Sequence, residues 1–136
     1  MPERYGHVLF LCVNNSARSQ MAEGIARSLL PDTVKISSAG SKPTQLQPLA
    51  VEALQEIGID ISAQRSKGLD AIDKESVDLA VTLCADQVCP YFPGRVEQLH
   101  WPLDDPAQED NLEAYRRTRD ELTARLKRLF QEPEEK

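Results

Sequence analysis

The strongest constraint on the fold is the run His7-Val8-Leu9-Phe10-Leu11-Cys12-Val13, which gives way abruptly to Asn14, Asn15 and Ser16. A nearly continuous apolar segment of strand length fits a strand buried on both faces of a parallel sheet. A helical pattern follows: Met21, Ala22, Ile25, Ala26 and Leu29 fall on one face, and Pro31 ends it. The alternation then repeats. Residues 33–38 read as a second strand closed by Gly40. Leu46, Leu49, Ala50, Ala53, Leu54 and Ile57 trace a second helix, with Pro48 in its first turn and Gly58 as its cap. Residues 62–75 are polar and are expected to form a loop with a short helix. Residues 77–83 and 95–100 are the third and fourth strand candidates. A long last helix is expected over 111–130, with the stripe Leu112, Tyr115, Leu122, Leu126, Leu129 and Phe130. Strands alternating with helices predict a three-layer α/β fold: a four-stranded parallel sheet with helices on both faces and right-handed crossovers.

In open α/β sheets ligands bind outside the carboxyl ends of the strands. Cys12 ends the first strand, Cys84 follows the third, and Asp104 and Asp105 follow the fourth. Residues remote in sequence are thus expected to converge on one rim. The length of 136 residues suits one domain, assigned to 1–130, with an acidic tail over 131–136. A formal net charge of -6 argues against nucleic acid as the main partner, but not against a small oxyanion held by local donors. No apolar run has the length of a membrane span and no signal peptide is evident, so a cytoplasmic location without membrane contact is expected. Three cysteines are a poor disulfide framework in a reducing compartment, and catalytic or redox duty fits them better.

The segment from Cys12 through Val13, Asn14, Asn15, Ser16 and Ala17 to Arg18 and Ser19 carries the chemistry. Five residues between cysteine and arginine can wrap into a cradle whose backbone N–H groups face one tetrahedral anion. Arg18, at the start of the helix, closes the cradle with its guanidinium fork. The same N–H groups and the helix dipole favour the thiolate form of Cys12. Ser19 is placed to donate a hydrogen bond to that sulfur, and Asn15 tolerates the left-handed geometry of a sharp turn. Cysteine and arginine at this spacing also occur by chance, with the first buried in a strand and the second exposed on a helix. The preceding strand and following helix favour the functional reading.

With Ser19-Gln20-Met21-Ala22-Glu23-Gly24 behind it, this segment resembles the signature of arsenate reductases of the low-molecular-weight phosphatase fold, in particular the thioredoxin-coupled type. The resemblance continues through Ser38-Ala39-Gly40, Asp60-Ile61-Ser62, Val81-Thr82-Leu83-Cys84 and His100-Trp101 to Asp104-Asp105-Pro106. It implies the reduction of arsenate to arsenite. Cys12 attacks arsenate, and Asp105 helps water or hydroxide leave. Cys84 then attacks the Cys12 sulfur, and arsenite departs with the bonding electrons. Cys89 next attacks Cys84, leaving a Cys84–Cys89 disulfide for an external thiol reductant. Thioredoxin is the reductant implied. The segment between Cys84 and Cys89 is shorter than in the best-known thioredoxin-coupled members, so a glutathione or mycothiol donor stays open. No bound cofactor is implied, and a monomer is the default.

The chain also departs from its resemblance. Many thioredoxin-coupled members carry a further cysteine where this chain has Ala17. Some bind a potassium ion through an asparagine, a glutamate, a serine and an aspartate. Asn15, Glu23 and Ser38 match, but Lys67 falls where the carboxylate is expected, so no metal site is assigned. Glu23 is read as bracing the loop, His100 and Trp101 as packing over the rim, His7 as incidental, and the basic residues of the last helix as a solvated face. The weaker alternative is that Asp104 and Asp105 are turn or cap residues before that helix, and Asp104 is the competing choice of acid. Two other functions use the same pocket. A phosphatase of small phosphoesters or phosphotyrosine needs Cys12, Arg18 and Asp105 but neither Cys84 nor Cys89. A non-catalytic oxyanion sensor needs no reactive thiolate, which would be a liability there.

Overall fold

A computed structural model describes residues 5–84 and 96–130. The apolar run forms β1 (His7–Cys12), buried along its whole length. It is followed by α1 (Arg18–Leu29), β2 (Lys35–Gly40), α2 (Pro48–Gln55), β3 (Leu79–Cys84), β4 (Glu97–Leu103) and α3 (Leu112–Phe130). The four strands form one sheet in the order β2-β1-β3-β4, every neighbouring pair parallel. In-register pairs such as Phe10 with Ser38 and with Val81 put β1 in the centre, as its lack of polar alternation requires.

Side-chain alternation along β1 divides the core. Val8 and Phe10 belong to one cluster with Met21 and Ile25 of α1, Leu54 of α2, and Tyr115, Leu122 and Leu126 of α3. Leu9 and Leu11 face the other way and pack with Ala39, Ala80, Ile72 and Val77. Among the described residues, the helices bordering this second face are two single 3-10 turns, Leu69–Ala71 and Lys74–Ser76. The polar segment 62–75 offers Leu69 and Ile72 to the sheet but no helical stripe, so it covers the face with short turns.

Several expected boundaries move; β2 and β3 each begin two residues later than expected, at Lys35 and Leu79. The second helix ends at Gln55, and Gly58 follows with φ +83, the left-handed geometry expected of a cap. The fourth strand runs on to Leu103 instead of ending at 100, although it contains Pro102. Pro102 is tolerated because β4 is the edge strand. Thr82 pairs with His100 but Cys84 pairs with Leu103, so β4 carries one extra residue over this stretch. Such a bulge bends the strand just before Asp104 and Asp105.

The basic face of α3 is only partly solvated. Arg119 donates to the Ala53 carbonyl at 2.9 Å and pairs with Glu56 at 2.8 Å, while Arg116 meets the same carboxylate at 2.6 Å. These bonds tie the end of α2 to α3 and hold the Glu56 carboxyl down to about 2. Among the described residues, no helix is long and apolar enough to cross a membrane. Residues 131–136, the expected acidic tail, lie outside the described residues.

Candidate active site

β1 delivers Cys12 to the carboxyl end of the sheet, 2% exposed, and the next five residues turn before α1 begins at Arg18. The carbonyls of that turn are all taken from outside. Val13 accepts from the Lys42 N–H at 2.8 Å, Asn14 from Thr44 N–H at 3.2 Å, Ser16 from Gln47 N–H at 3.0 Å and Ala17 from Met21 N–H at 2.8 Å. Asn15 accepts from the Gln20 side chain at 3.0 Å. In a trans peptide the carbonyl and the following N–H point in opposite directions. Five outward carbonyls therefore aim the N–H groups of Asn14, Asn15, Ser16, Ala17 and Arg18 at the inside of the turn. Inward N–H groups with the N-terminus of α1 behind them are an arrangement suited to holding an anion.

Asn15 supplies the sharp bend at φ +49 and is completely buried. Its Oδ1 accepts from Lys67 N–H at 2.8 Å and from Gln20 Nε2 at 3.0 Å. Its Nδ2 must then be the donor to Ser19 Oγ, at 2.8 Å. Ser19 Oγ lies 3.0 Å from Cys12 Sγ. Either atom of this pair can donate while Cys12 is a thiol; were Cys12 a thiolate, the Ser19 hydroxyl would be the donor. Gly40 makes the close approach possible. A Cβ there would sit 2.7 Å from the Cys12 carbonyl oxygen and 2.9 Å from the Asn15 nitrogen, closer than real side chains tolerate.

Arg18 is buried, and its Nη1 donates to the Leu103 carbonyl at 2.9 Å. Its Nη2 lies 3.7 Å from Asp105 Oδ2. Asp105 also accepts the Ala107 N–H at 3.0 Å and so caps the short turn Pro106–Gln108. The turn reading of this aspartate is realised, and it does not conflict with the functional one. Asp104 is exposed, and of the two it is Asp105 that reaches Arg18. Cys84, at the end of β3, is also only 2% exposed and packs in a small buried cluster with Cys12 and Val13. Cys84 is disulfide-bonded, whereas Cys12 is a free thiol. Cys89 lies outside the described residues.

Behind the turn, Glu23 is a buried carboxylate with three partners. It accepts from Ser38 Oγ at 2.6 Å, pairs with Arg27 at 2.6 Å, and has Lys67 Nζ at 3.8 Å. These contacts join α1 to β2 and to Lys67, and none of them is to the turn between Cys12 and Arg18. His100 is an exposed residue bonded to Thr82 Oγ1 at 2.7 Å, and the Arg125 guanidinium stacks 5.7 Å over Trp101. His7 is less incidental than its place in the sequence suggests. It is buried, and its two ring nitrogens lie 2.7 Å from Ser76 Oγ and 2.9 Å from Ser37 Oγ. Sequence reasoning overlooked Gln20, Gln64, Ser66 and the backbone of Lys67 as supports of the turn. Only Gln20 had a signal, its place two residues after Arg18 on a buried helix.

A model of the low molecular weight phosphotyrosine protein phosphatase family matches residues 7–136. The chain is 46% identical over 127 residues to an arsenate reductase of Bacillus subtilis (strain 168), covering 88% of this chain and 91% of that one. A solved arsenate reductase in the phosphate binding state superposes with a TM-score of 0.80 at 32% identity, covering 90% of this chain and 95% of that one. A thioredoxin-dependent arsenate reductase of Corynebacterium glutamicum superposes with a TM-score of 0.72 at 33% identity, covering 92% of this chain and 60% of that one.

Proposed function

The chain belongs to the low molecular weight phosphotyrosine protein phosphatase family, and from that premise we propose that it is an arsenate reductase working through Cys12, Cys84 and Cys89. Cys12 is the nucleophile. The N–H groups of residues 14–18 and the Arg18 fork hold the tetrahedral oxyanion and take up its negative charge. Attack of the Cys12 thiolate on arsenic expels one oxygen as water, with Asp105 as the proton source. The thiolate of Cys84 then attacks Cys12 Sγ. The sulfur–arsenic bond breaks, its electron pair leaves with arsenic as arsenite, and the two sulfurs are oxidised to a disulfide. Cys89 attacks Cys84, returns Cys12 as a thiolate, and moves the disulfide to the Cys84–Cys89 pair. An external dithiol of the thioredoxin type reduces that pair.

The observation that carries this reading is the burial of Cys84 against Cys12 and Val13. Hydrolysis of a phosphoester gives a second thiol at that place no task, whereas reduction of arsenate requires it. The phosphatase reading is favoured by the Arg18–Asp105 pair, which serves a phosphoenzyme equally well, and phosphate and arsenate are close in shape and charge. Replacing Cys84 by serine separates the two. Arsenate reduction by Cys84→Ser is expected to stop before any intramolecular disulfide forms, read by mass spectrometry of the alkylated protein. Hydrolysis of p-nitrophenyl phosphate by the same variant is expected to persist. An arsenate-induced intramolecular disulfide in Cys84→Ser would refute the order of the relay.

A further inference from the structure

Gln20 is a fully buried polar side chain on the first turn of α1. Its carboxamide is fully used. Nε2 donates to the Arg65 carbonyl at 2.8 Å and shares its other hydrogen between the Asn15 carbonyl and Asn15 Oδ1, both at 3.0 Å. Its Oε1 accepts from Gln64 Nε2 at 2.8 Å. An amide placed between two fixed partners cannot turn over without losing a bond at each end.

We propose that Gln20 is a positioning residue that sets the reactivity of Cys12 by fixing the direction of every donor between Gln64 and the sulfur. The chain runs Gln64, Gln20, Asn15, Ser19, Cys12; each group donates to the next as far as Ser19, and Ser19 donates to Cys12 when that sulfur is a thiolate. The Gln64 amide fixes Gln20 with its nitrogen toward Asn15. That nitrogen, with the Lys67 N–H, fixes Asn15 with its oxygen away from Ser19. Asn15 Nδ2 then takes one lone pair of the Ser19 oxygen, and the Ser19 proton goes to the Cys12 thiolate, which has none of its own to give. A hydrogen bond to a charged sulfur is among the stronger kinds in a buried site. A change of Gln20 is therefore felt three bonds away, at the thiolate.

The inference rests on Cys12 being the nucleophile of the reading above, but its test requires no arsenate. In a Cys84→Ser/Cys89→Ser background, Cys12 is alkylated with iodoacetamide at pH 7. Gln20→Met, close in size and without a donor, is expected to slow alkylation about five- to tenfold. Ser19→Ala is expected to slow it at least as much. The double variant is expected to be no slower than Ser19→Ala alone, because the effect of Gln20 passes through that hydroxyl. Gln64→Met, further out and only partly buried, is expected to act in the same direction more weakly, and it serves as the variant should Gln20→Met fail to fold. Alkylation of Gln20→Met within about twofold of its parent, or additive effects of Gln20→Met and Ser19→Ala, would overturn the proposal. A parent Cys12 no more reactive than a free thiol in solution would instead overturn the assignment of Cys12 as nucleophile.

Discussion

At the scale of single residues, the site is defined as much by where hydrogen-bond partners go as by which side chains face the substrate. The cradle exists because five consecutive carbonyls find partners outside it, among them Lys42, Thr44 and Gln47, which nothing in a cysteine–arginine motif announces. Asp105 and Asp104 are chemically alike and adjacent, and they differ in that Asp105 is less exposed, caps Ala107 and approaches Arg18 to within 3.7 Å. Asp105→Asn is accordingly expected to lower kcat on arsenate about a hundredfold or more, the usual scale for loss of a positioned proton donor. Asp104→Asn is expected to stay within about threefold of the wild type, since it removes an exposed carboxylate. Steady-state kinetics on the two variants checks this, and equal losses would mean that the acidic loop acts only through its charge. Cys12, Arg18, Asn15 and Ser19 could be read in advance because each must lie within one short turn. Gln64 and the backbone of Lys67 could not, because their bonds span 44 and 52 residues.

At the scale of elements, β1 was the most legible segment, since an unbroken apolar run leaves few alternatives to a central strand. β4 was less so. Its Pro102 argues against a strand unless the strand is known to lie at an edge, and edge position is a property of the whole sheet. The second face was legible as polar sequence but not as turns covering a sheet. His7 belongs to this scale, for it pins the start of β1 to Ser37 of β2 and to Ser76 before β3. Burial foremost, and then Lys35, lower its pKa below the ordinary 6.5, against a smaller upward pull from Asp78 and Asp73. The unfolded chain thus binds a proton at His7 that the folded chain refuses. The stability it contributes is complete above pH 6.5 and is lost as the pH falls from there toward the depressed folded value. Urea midpoints are expected to fall between about pH 7.5 and 5.5, and His7→Gln is expected to flatten that fall. An unchanged slope in His7→Gln would show that other groups carry the acid sensitivity.

At the scale of the whole molecule, the parallel sheet brings together residues that have no sequence relation. The ends of β1, β3 and β4 place Cys12, Cys84 and the Asp105 loop on one rim, and the order β2-β1-β3-β4 makes the two cysteine-bearing strands neighbours. A phosphatase-type cradle thereby acquires a second thiol within the packing shell of the first. The central claim is that this second thiol, relayed through Cys89, turns oxyanion binding into arsenate reduction. The most direct test is arsenate-dependent NADPH oxidation by the purified protein with thioredoxin and thioredoxin reductase, with glutathione and mycothiol systems in parallel, comparing wild type with Cys89→Ser. The account predicts sustained NADPH oxidation by the wild type with a thiol donor, and at most one turnover by the variant. Absence of arsenate-dependent oxidation with every donor, together with phosphoester hydrolysis that is equal in both proteins, would contradict it.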